Sequence, residues 1–109
     1  MNNEIVSSNV IVQKRFSFQK MLEIHQEVKK ITGTIYLQHK HKIIDASSLT
    51  KLVSFLLTVE PKATIKIIIE GPNAEAILQR FTLLLGNEVV SVKKQQKTQL
   101  IESSDSISL

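Results

Sequence analysis

The segment with the most chemically capable side chains is residues 15–30, RFSFQKMLEIHQEVKK. It contains a histidine, His25, a serine, Ser17, and four basic side chains. An imidazole exchanges protons near neutral pH and an activated hydroxyl can act as a nucleophile, so this composition suggests a reactive site. At helical spacing, however, His25 lies one position along from Ile24 on the apolar stripe of a helix. We therefore interpret His25 as a structural, partly buried histidine.

Two other groups of residues have spacings that suggest chemistry. His39 and His41 flank a predicted turn and could face one way to bind a metal, but no third ligand is evident, so we predict an exposed basic turn. Ser48 and Lys51 match the S-x-x-K motif of penicillin-binding enzymes, whose companion motifs are missing from this sequence. The sequence thus predicts a protein that is not an enzyme and that has no cofactor and no metal.

Composition limits the class of protein. A chain of 109 residues with 42% hydrophobic residues predicts one domain with a modest core. Cysteine does not occur, which excludes disulfides and thiol catalysis. The first residues lack the features of a signal peptide, and no apolar run is long enough to span a membrane, so we expect a cytoplasmic protein without membrane contact. The net charge of +4 comes from basic residues spread along the chain, which predicts a solvated basic surface.

The pattern along the chain predicts alternating strands and helices. The segment Asn9–Phe16 begins with alternating apolar residues and predicts a strand. From Ser17, a good N-cap, the period becomes helical, and the helix ends at Thr32-Gly33. The apolar stripe of this helix consists of Met21, Ile24, Val28 and Ile31. The later elements are predicted as a hairpin of strands 34–38 and 42–46, a helix that ends before Pro61, a strand 63–71 and a helix 72–86.

The second predicted helix is assigned an apolar face of Leu49, Leu52, Val53, Leu56 and Leu57. The predicted core lies between one helical layer and one face of the sheet. Its members are Met21, Ile24, Val28, Leu52, Leu56, Ile67, Ile69, Ile77 and Leu84. Residues 1–8 form an N-terminal extension, residues 9–86 the domain, and residues 87–109 a C-terminal extension with one further strand and then a disordered tail.

The order β-α-β-β-α-β-α over residues 9–86 resembles HPr, the small histidine phosphocarrier of the bacterial sugar phosphotransferase system. The resemblance is strongest over residues 35–57, IYLQHKHKIIDASSLTKLVSFLL, and extends to IKIIIEG and AEAILQRFTLLL. It implies an α+β fold, an open-faced β-sandwich with helices on one face of a four-stranded antiparallel sheet.

The functional motif of that family is not present. HPr proteins carry Gly-Ile/Leu-His-Ala-Arg-Pro at the start of the first helix, where the histidine accepts a phosphoryl group. An ungapped count from the hairpin puts Ser17 at the histidine position, while Phe18, Gln19 and Lys20 replace the alanine, arginine and proline. A phosphorylated imidazole passes its phosphate on, whereas a phosphoserine ester is stable. Gln19 also lacks the charge with which the arginine would bind phosphate. The resemblance therefore predicts an HPr-like protein without phosphocarrier activity.

Ser48 falls at the position of the family's regulatory serine. In Gram-positive bacteria a dedicated kinase phosphorylates that serine, and the phosphorylated protein then binds a transcriptional regulator. A serine at this position also has a structural role, because it caps the N-terminus of the second helix. Leu49 fits the family pattern after the serine, while Thr50 and Lys51 do not. Both roles of Ser48 stay open at this stage.

The resemblance implies a regulatory or scaffold function. In HPr-like folds the N-termini of the first two helices lie side by side and form the docking face. We expect the same arrangement here. The residues carried over to that face are Ser17, Phe18, Gln19, Lys20, Leu22, Ser48, Leu49 and Val53. An apolar patch with a rim of lysine and arginine suits a protein partner such as a transcriptional regulator, a kinase or a phosphotransferase-system component. Alternatively, Phe18 covers the edge of the sheet, or the C-terminal tail covers the patch.

Two functions of other classes are the alternatives. A small ACT-type ligand-binding module shares the β-α-β-β-α-β core, but the third helix and the lack of a glycine-rich loop count against it. A basic nucleic-acid-binding domain is disfavoured because exposed aromatic residues and a lysine-rich loop are missing. The sequence does not define an oligomeric state.

Overall fold

The computed structural model describes residues 3–92, which form an α+β fold of three helices and one antiparallel sheet. The elements are β1 (Glu4–Val12), α1 (Phe18–Val28), β2 (Thr34–His39), β3 (Lys42–Asp45), α2 (Leu49–Thr58), β4 (Thr64–Gly71), α3 (Ala74–Leu85) and β5 (Val89–Ser91), with a 3-10 turn Gly86–Glu88 before β5. The first seven follow the predicted order. The predicted disordered tail lies outside the described residues.

The sheet has five strands in the order β3-β2-β4-β1-β5, whereas the sequence predicted four. The additional strand is β5, which pairs with the end of β1 and matches the further strand expected after Gly86. The first strand begins at Glu4 and ends at Val12, while the alternation had predicted Asn9–Phe16. Its early start is explained by β4, which pairs with β1 from Glu4↔Gly71 to Ile11↔Thr64.

One face of the sheet and the inner sides of the helices form the core. Alternate residues of the strands point to the helices, and their buried apolar members are Val10, Val12, Ile35, Leu37, Ile44, Ile65, Ile67, Ile69 and Val89. The predicted inner stripe of α1 is confirmed, since Met21, Ile24 and Val28 are buried. All three helices therefore cover the same face, and no helix of residues 3–92 covers the other face of the sheet.

The inner faces of α2 and α3 differ from those predicted. In α2 the buried residues are Leu52, Phe55 and Leu56, while Leu49 and Leu57 are exposed. Because the apolar side of α2 covers more than half of the circumference of the helix, its sequence does not determine which part of that side faces the sheet. In α3 the helix is rotated relative to the predicted face. Its buried residues are Ala74, Leu78, Phe81 and Leu85, and the predicted Ile77 and Leu84 are only partly buried.

The loop after α1 crosses the end of β4 at two glycines. Gly33 has φ +126° and Gly71 has φ +151°, both in the region that favours glycine. A Cβ on Gly33 would lie 2.7 Å from the carbonyl oxygen of Glu70, and one on Gly71 would lie 2.9 Å from the Gly33 Cα. This close approach fixes where α1 ends and where β2 enters the sheet.

Candidate protein-binding surface

The N-terminus of α1 is capped by Ser17, as predicted. The Ser17 Oγ accepts a hydrogen bond from the Lys20 backbone N–H at 3.0 Å, and its carbonyl accepts from Met21 N–H at 3.0 Å. Ser17 is exposed to solvent. A lone pair of the Ser17 hydroxyl is thus used to satisfy a helix N–H.

Lys20, predicted to lie on the docking face, is held by the C-terminus of α3. Its Nζ donates to the Leu84 carbonyl oxygen at 3.2 Å and lies 3.6 Å from the Glu23 carboxylate. A cation at this position compensates the negative end of the α3 dipole. The Lys20 side chain is 22% exposed, so it joins α1 to α3 and contributes little to a free surface.

The N-terminus of α2 is capped by Ser48, which confirms the structural role predicted for it. The Ser48 Oγ accepts from Lys51 N–H at 3.4 Å, and the Ser48 carbonyl accepts from Leu52 N–H at 2.9 Å. The turn before it is fixed by Asp45, whose Oδ1 accepts from the Ser47 N–H at 2.9 Å and from the Ser47 hydroxyl at 2.8 Å. The half-buried Ser48 thus lies at the end of a well-defined turn.

His25 has the structural role that its spacing predicted. It is half-buried, and its Nε2 lies 3.0 Å from the Ser47 carbonyl oxygen. Because a carbonyl oxygen only accepts hydrogen bonds, Nε2 must carry the proton in this contact. The bond joins the second half of α1 to the residue just before α2.

Contacts at both ends show that α1 and α2 are antiparallel neighbours. Near the start of α1, Arg15 pairs with Glu60 at 3.8 Å, and Glu60 follows the end of α2. The Val12 carbonyl oxygen accepts a hydrogen bond at 2.7 Å from the N–H of Lys62, which lies in the turn that follows α2. His25 is the residue that reaches the start of α2.

The two helix N-termini therefore do not lie side by side, contrary to the expectation. At 1.5 Å per residue, about 12 Å of α1 separates Ser17 from His25, which marks the start of α2. The short turn 59–63 brings the end of α2 back beside Val12, where β4 begins to pair with β1.

Exposed apolar side chains lie along the outward side of this helix pair. Phe18 is 60% exposed, Leu49 36% and Leu57 61%, while Leu22 and Val53 are half-buried. We call these five residues the α1–α2 outer face. Spacings of four residues place Phe18 and Leu22 on one side of α1, and Leu49, Val53 and Leu57 on one side of α2.

Leu57 was predicted on the apolar face of the second helix and was not among the residues predicted for the docking face, so its exposure is the feature of this surface that sequence reasoning missed. Phe18 does not cover the sheet edge, because most of its side chain is open to solvent in the described part of the chain. Lys14 and Gln19, which are close to Phe18 in the chain, have exposed side chains. The antiparallel contacts place Phe18 toward the Leu57 end of α2.

The two histidines of the β2–β3 hairpin differ in their contacts. The His39 Nδ1 lies 3.1 Å from the Thr64 carbonyl oxygen, which ties the β2–β3 turn to the start of β4. His41 is exposed in the same turn. Within residues 3–92, no three His, Cys, Asp or Glu side chains are close enough to hold a metal ion. In that same part of the chain, none of the helices has the length and apolar character needed to cross a membrane.

Comparison with protein-family models gives no match, and a search of curated protein sequences gives none either. The fold and the α1–α2 outer face are therefore the features of this chain that bear on its function.

Proposed function

We propose that this protein is an HPr-like regulatory or scaffold protein without phosphocarrier activity, and that it binds partner proteins through the α1–α2 outer face. The observation that carries the proposal is the exposure of Phe18 and Leu57, at 60% and 61%, on two antiparallel helices. Large apolar side chains grouped on one surface with a polar rim are typical of a protein-binding site.

The strand order supports the HPr-like assignment over the ACT-type alternative. Among the first four strands, β2 and β4 are central and β1 and β3 are outer. HPr-like folds have this arrangement, whereas ACT-type modules have β1 and β3 in the centre. The third helix, α3, is also part of the HPr-like pattern and packs on β1 and β4.

The nucleic-acid alternative has less support. Single-stranded RNA and DNA are bound mainly by exposed aromatic side chains beside basic ones. Phe18 is the only exposed aromatic residue in the described part of the chain, since Phe16, Phe55 and Phe81 are buried and Tyr36 is half-buried.

Regulation by phosphorylation is proposed for Ser48. A phosphate there would lie at the N-terminus of α2, where backbone N–H groups and the helix dipole favour negative charge. The site is next to Ser47, whose carbonyl contacts His25, and it precedes Leu49 of the outer face. Phosphorylation would thus add charge at one end of the surface that binds the partner.

Partner capture by the full-length chain tests the proposed surface. Immobilised wild type, Phe18→Ala and Leu57→Ala are incubated with a lysate of the source cells, and bound proteins are quantified by mass spectrometry. We expect at least about a tenfold loss of the specific partner with either variant, as for a central interface residue.

Leu83→Ala is the matched control for Leu57→Ala, because Leu83 is 80% exposed on α3 and lies outside the outer face. It should leave capture unchanged. Equal capture by all four proteins would exclude the outer face as the binding surface. A Ser48→Asp arm then tests whether negative charge at α2 changes capture.

A phosphotransfer assay tests the absence of carrier activity. The protein is incubated with enzyme I and labelled phosphoenolpyruvate, and we expect no label because Ser17 and Gln19 replace the histidine and the arginine. A conventional HPr serves as the positive control. Acid-labile label on His25, His39 or His41 would show that the chain is a phosphocarrier after all.

A further inference from the structure

The face of the sheet opposite the helices carries large apolar side chains. Its residues alternate along each strand with the core residues, and we call it the open sheet face. Half of the large apolar side chains that are exposed within residues 3–92 belong to it, namely Ile5, Ile11, Ile43 and Val90. Ile68 and Tyr36, which lie near its centre, are half-buried. Apolar residues grouped on one face in this way are typical of a site of protein association.

Two charged residues lie symmetrically about the middle of this face. Ile68 is in the central strand β4, opposite Tyr36 of β2 and Ser7 of β1. Lys66 and Glu70 are two residues before and after Ile68, so all three side chains point to the open sheet face. The strand rise places the two charges about 13 Å apart, too far for an ion pair with each other. Neither forms an ion pair within the part of the chain that the structure describes.

We propose that the open sheet face binds the same face of a second copy of this chain, in a dimer with two-fold symmetry. The axis runs across the strands at Ile68, so β4 of one copy lies antiparallel over β4 of the other. Lys66 of each copy then faces Glu70 of the other, and Ile68 meets its own counterpart at the centre. A symmetric interface of this type uses one self-complementary patch on both copies.

The twist of the two sheets is compatible with these contacts. Packed sheets keep their strands within about 30° of each other because each sheet is twisted. Lys66 and Glu70 lie about 7 Å from the axis, so this rotation displaces them from their partners by only about 3–4 Å. The long side chain of a lysine covers such a displacement.

The charges select this axis over the other simple one. An axis parallel to β4 at Ile68 would place Lys66 over Lys66 and Glu70 over Glu70, and like charges across an interface disfavour binding. The axis across the strands converts the same four charges into two attractive pairs. Asp45, the remaining charged residue of this face within residues 3–92, lies on the edge strand β3, where its carboxylate accepts two hydrogen bonds from Ser47.

The open sheet face is large enough for a weak, specific dimer. Five strands spaced by about 4.8 Å, and residues 64–70 of β4, give a face of about 24 Å by about 23 Å. Such a face buries about 500 Å² on each copy, or about 1,000 Å² in total, which is near the lower limit of specific interfaces. The α1–α2 outer face lies on the other side of the molecule, so the dimer leaves it free for the partner of the proposed function.

Sedimentation equilibrium of the full-length chain measures the association. Between about 1 µM and about 1 mM we expect a reversible monomer–dimer equilibrium, because an interface of this size corresponds to a dissociation constant within that range. A wild-type protein that stays monomeric up to about 1 mM would overturn the proposal.

Charge reversal gives variants that repel themselves and attract each other. Lys66→Glu sets two carboxylates against each other at both contacts, and Glu70→Lys sets two ammonium groups, so each variant should raise the dissociation constant at least about tenfold. An equimolar mixture of the two variants restores opposite charges at both contacts, as does the double variant Lys66→Glu with Glu70→Lys. Both should return to within about threefold of the wild-type dissociation constant.

Lys51→Glu is the matched control, because it makes the same change of charge on α2, away from the open sheet face. It should change the dissociation constant by less than about twofold, and circular dichroism checks that every variant folds. Two further outcomes contradict the proposal. Single variants that dimerise as tightly as the wild type, or a dimer that Phe18→Ala abolishes instead, would place the interface elsewhere. A loss that neither the mixture nor the double variant reverses would exclude the proposed pairing of Lys66 with Glu70.

Discussion

The inner and outer sides of the α1–α2 pair are built from the same types of residue and have opposite surroundings. Leu56 is 2% exposed and its neighbour Leu57 is 61% exposed. Likewise, Phe16 is buried just before α1, and Phe18 projects from its first turn. Hydrophobicity alone therefore does not separate core from surface in this layer, and contact with the sheet does.

The two helices differ in how well their sequences define these sides. In α1 the buried stripe is narrow and is bordered by Lys20 and Glu27 on one side and by His25 on the other, which favours one orientation toward the sheet. In α2 the apolar side covers more than half of the circumference of the helix, so several orientations bury a similar apolar area. Phe55 is the largest side chain of α2, and the observed orientation buries it completely. An apolar residue on the solvent-exposed side of such a helix is a candidate for contact with a partner protein.

The largest expected effects come from the inner side. Phe16→Ala and Leu56→Ala remove buried side chains and leave cavities, and each should lower the free energy of unfolding by about 2–5 kcal/mol. Chemical denaturation followed by circular dichroism measures this. Losses below about 0.5 kcal/mol at both positions would contradict the burial that separates the two sides.

The smallest expected effects come from the outer side. Phe18→Ala and Leu57→Ala remove exposed side chains, and each should change the free energy of unfolding by no more than about 0.5 kcal/mol. The same denaturation experiment compares Leu56→Ala with Leu57→Ala, which are identical substitutions at adjacent positions. If the two leucines proved equally costly, Leu57 would be part of the core and the outer face would lose its basis.

Much of the local structure could be predicted from the sequence. The two serine caps, the α1 stripe and the β-branched strand β4 depend on short-range patterns, and all were predicted correctly. The early start of β1 was not, because Ser7 and Ser8 resemble a loop until β4 supplies their partners. The rotation of α3 depends on fitting Phe81 against the sheet, which is a tertiary effect.

The candidate surface was predictable in part, because spacing along a helix is visible in the sequence whereas helix packing is not. Phe18, Leu22, Leu49 and Val53 were identified from spacing and resemblance, and each lies on the outward side of the helix pair. Leu57 was missed because the orientation of α2 is set by packing. The antiparallel relation of α1 and α2 depends on Arg15, His25 and the turn before β4, none of which has a recognisable sequence signature.

The pairing of β1 also limits the order in which the strands can fold during translation. Among the strands of residues 3–92, β1 leaves the ribosome before the others and pairs with β4 and β5, which follow all of them. Of the pairings described in this sheet, only the β2–β3 hairpin joins strands that are consecutive in the chain. Such non-local pairing slows folding, because a long loop must close before the contacts form. During translation, β1 therefore stays unpaired, with its apolar residues exposed, until β4 has emerged. We expect chaperones to bind the nascent chain mainly during that period.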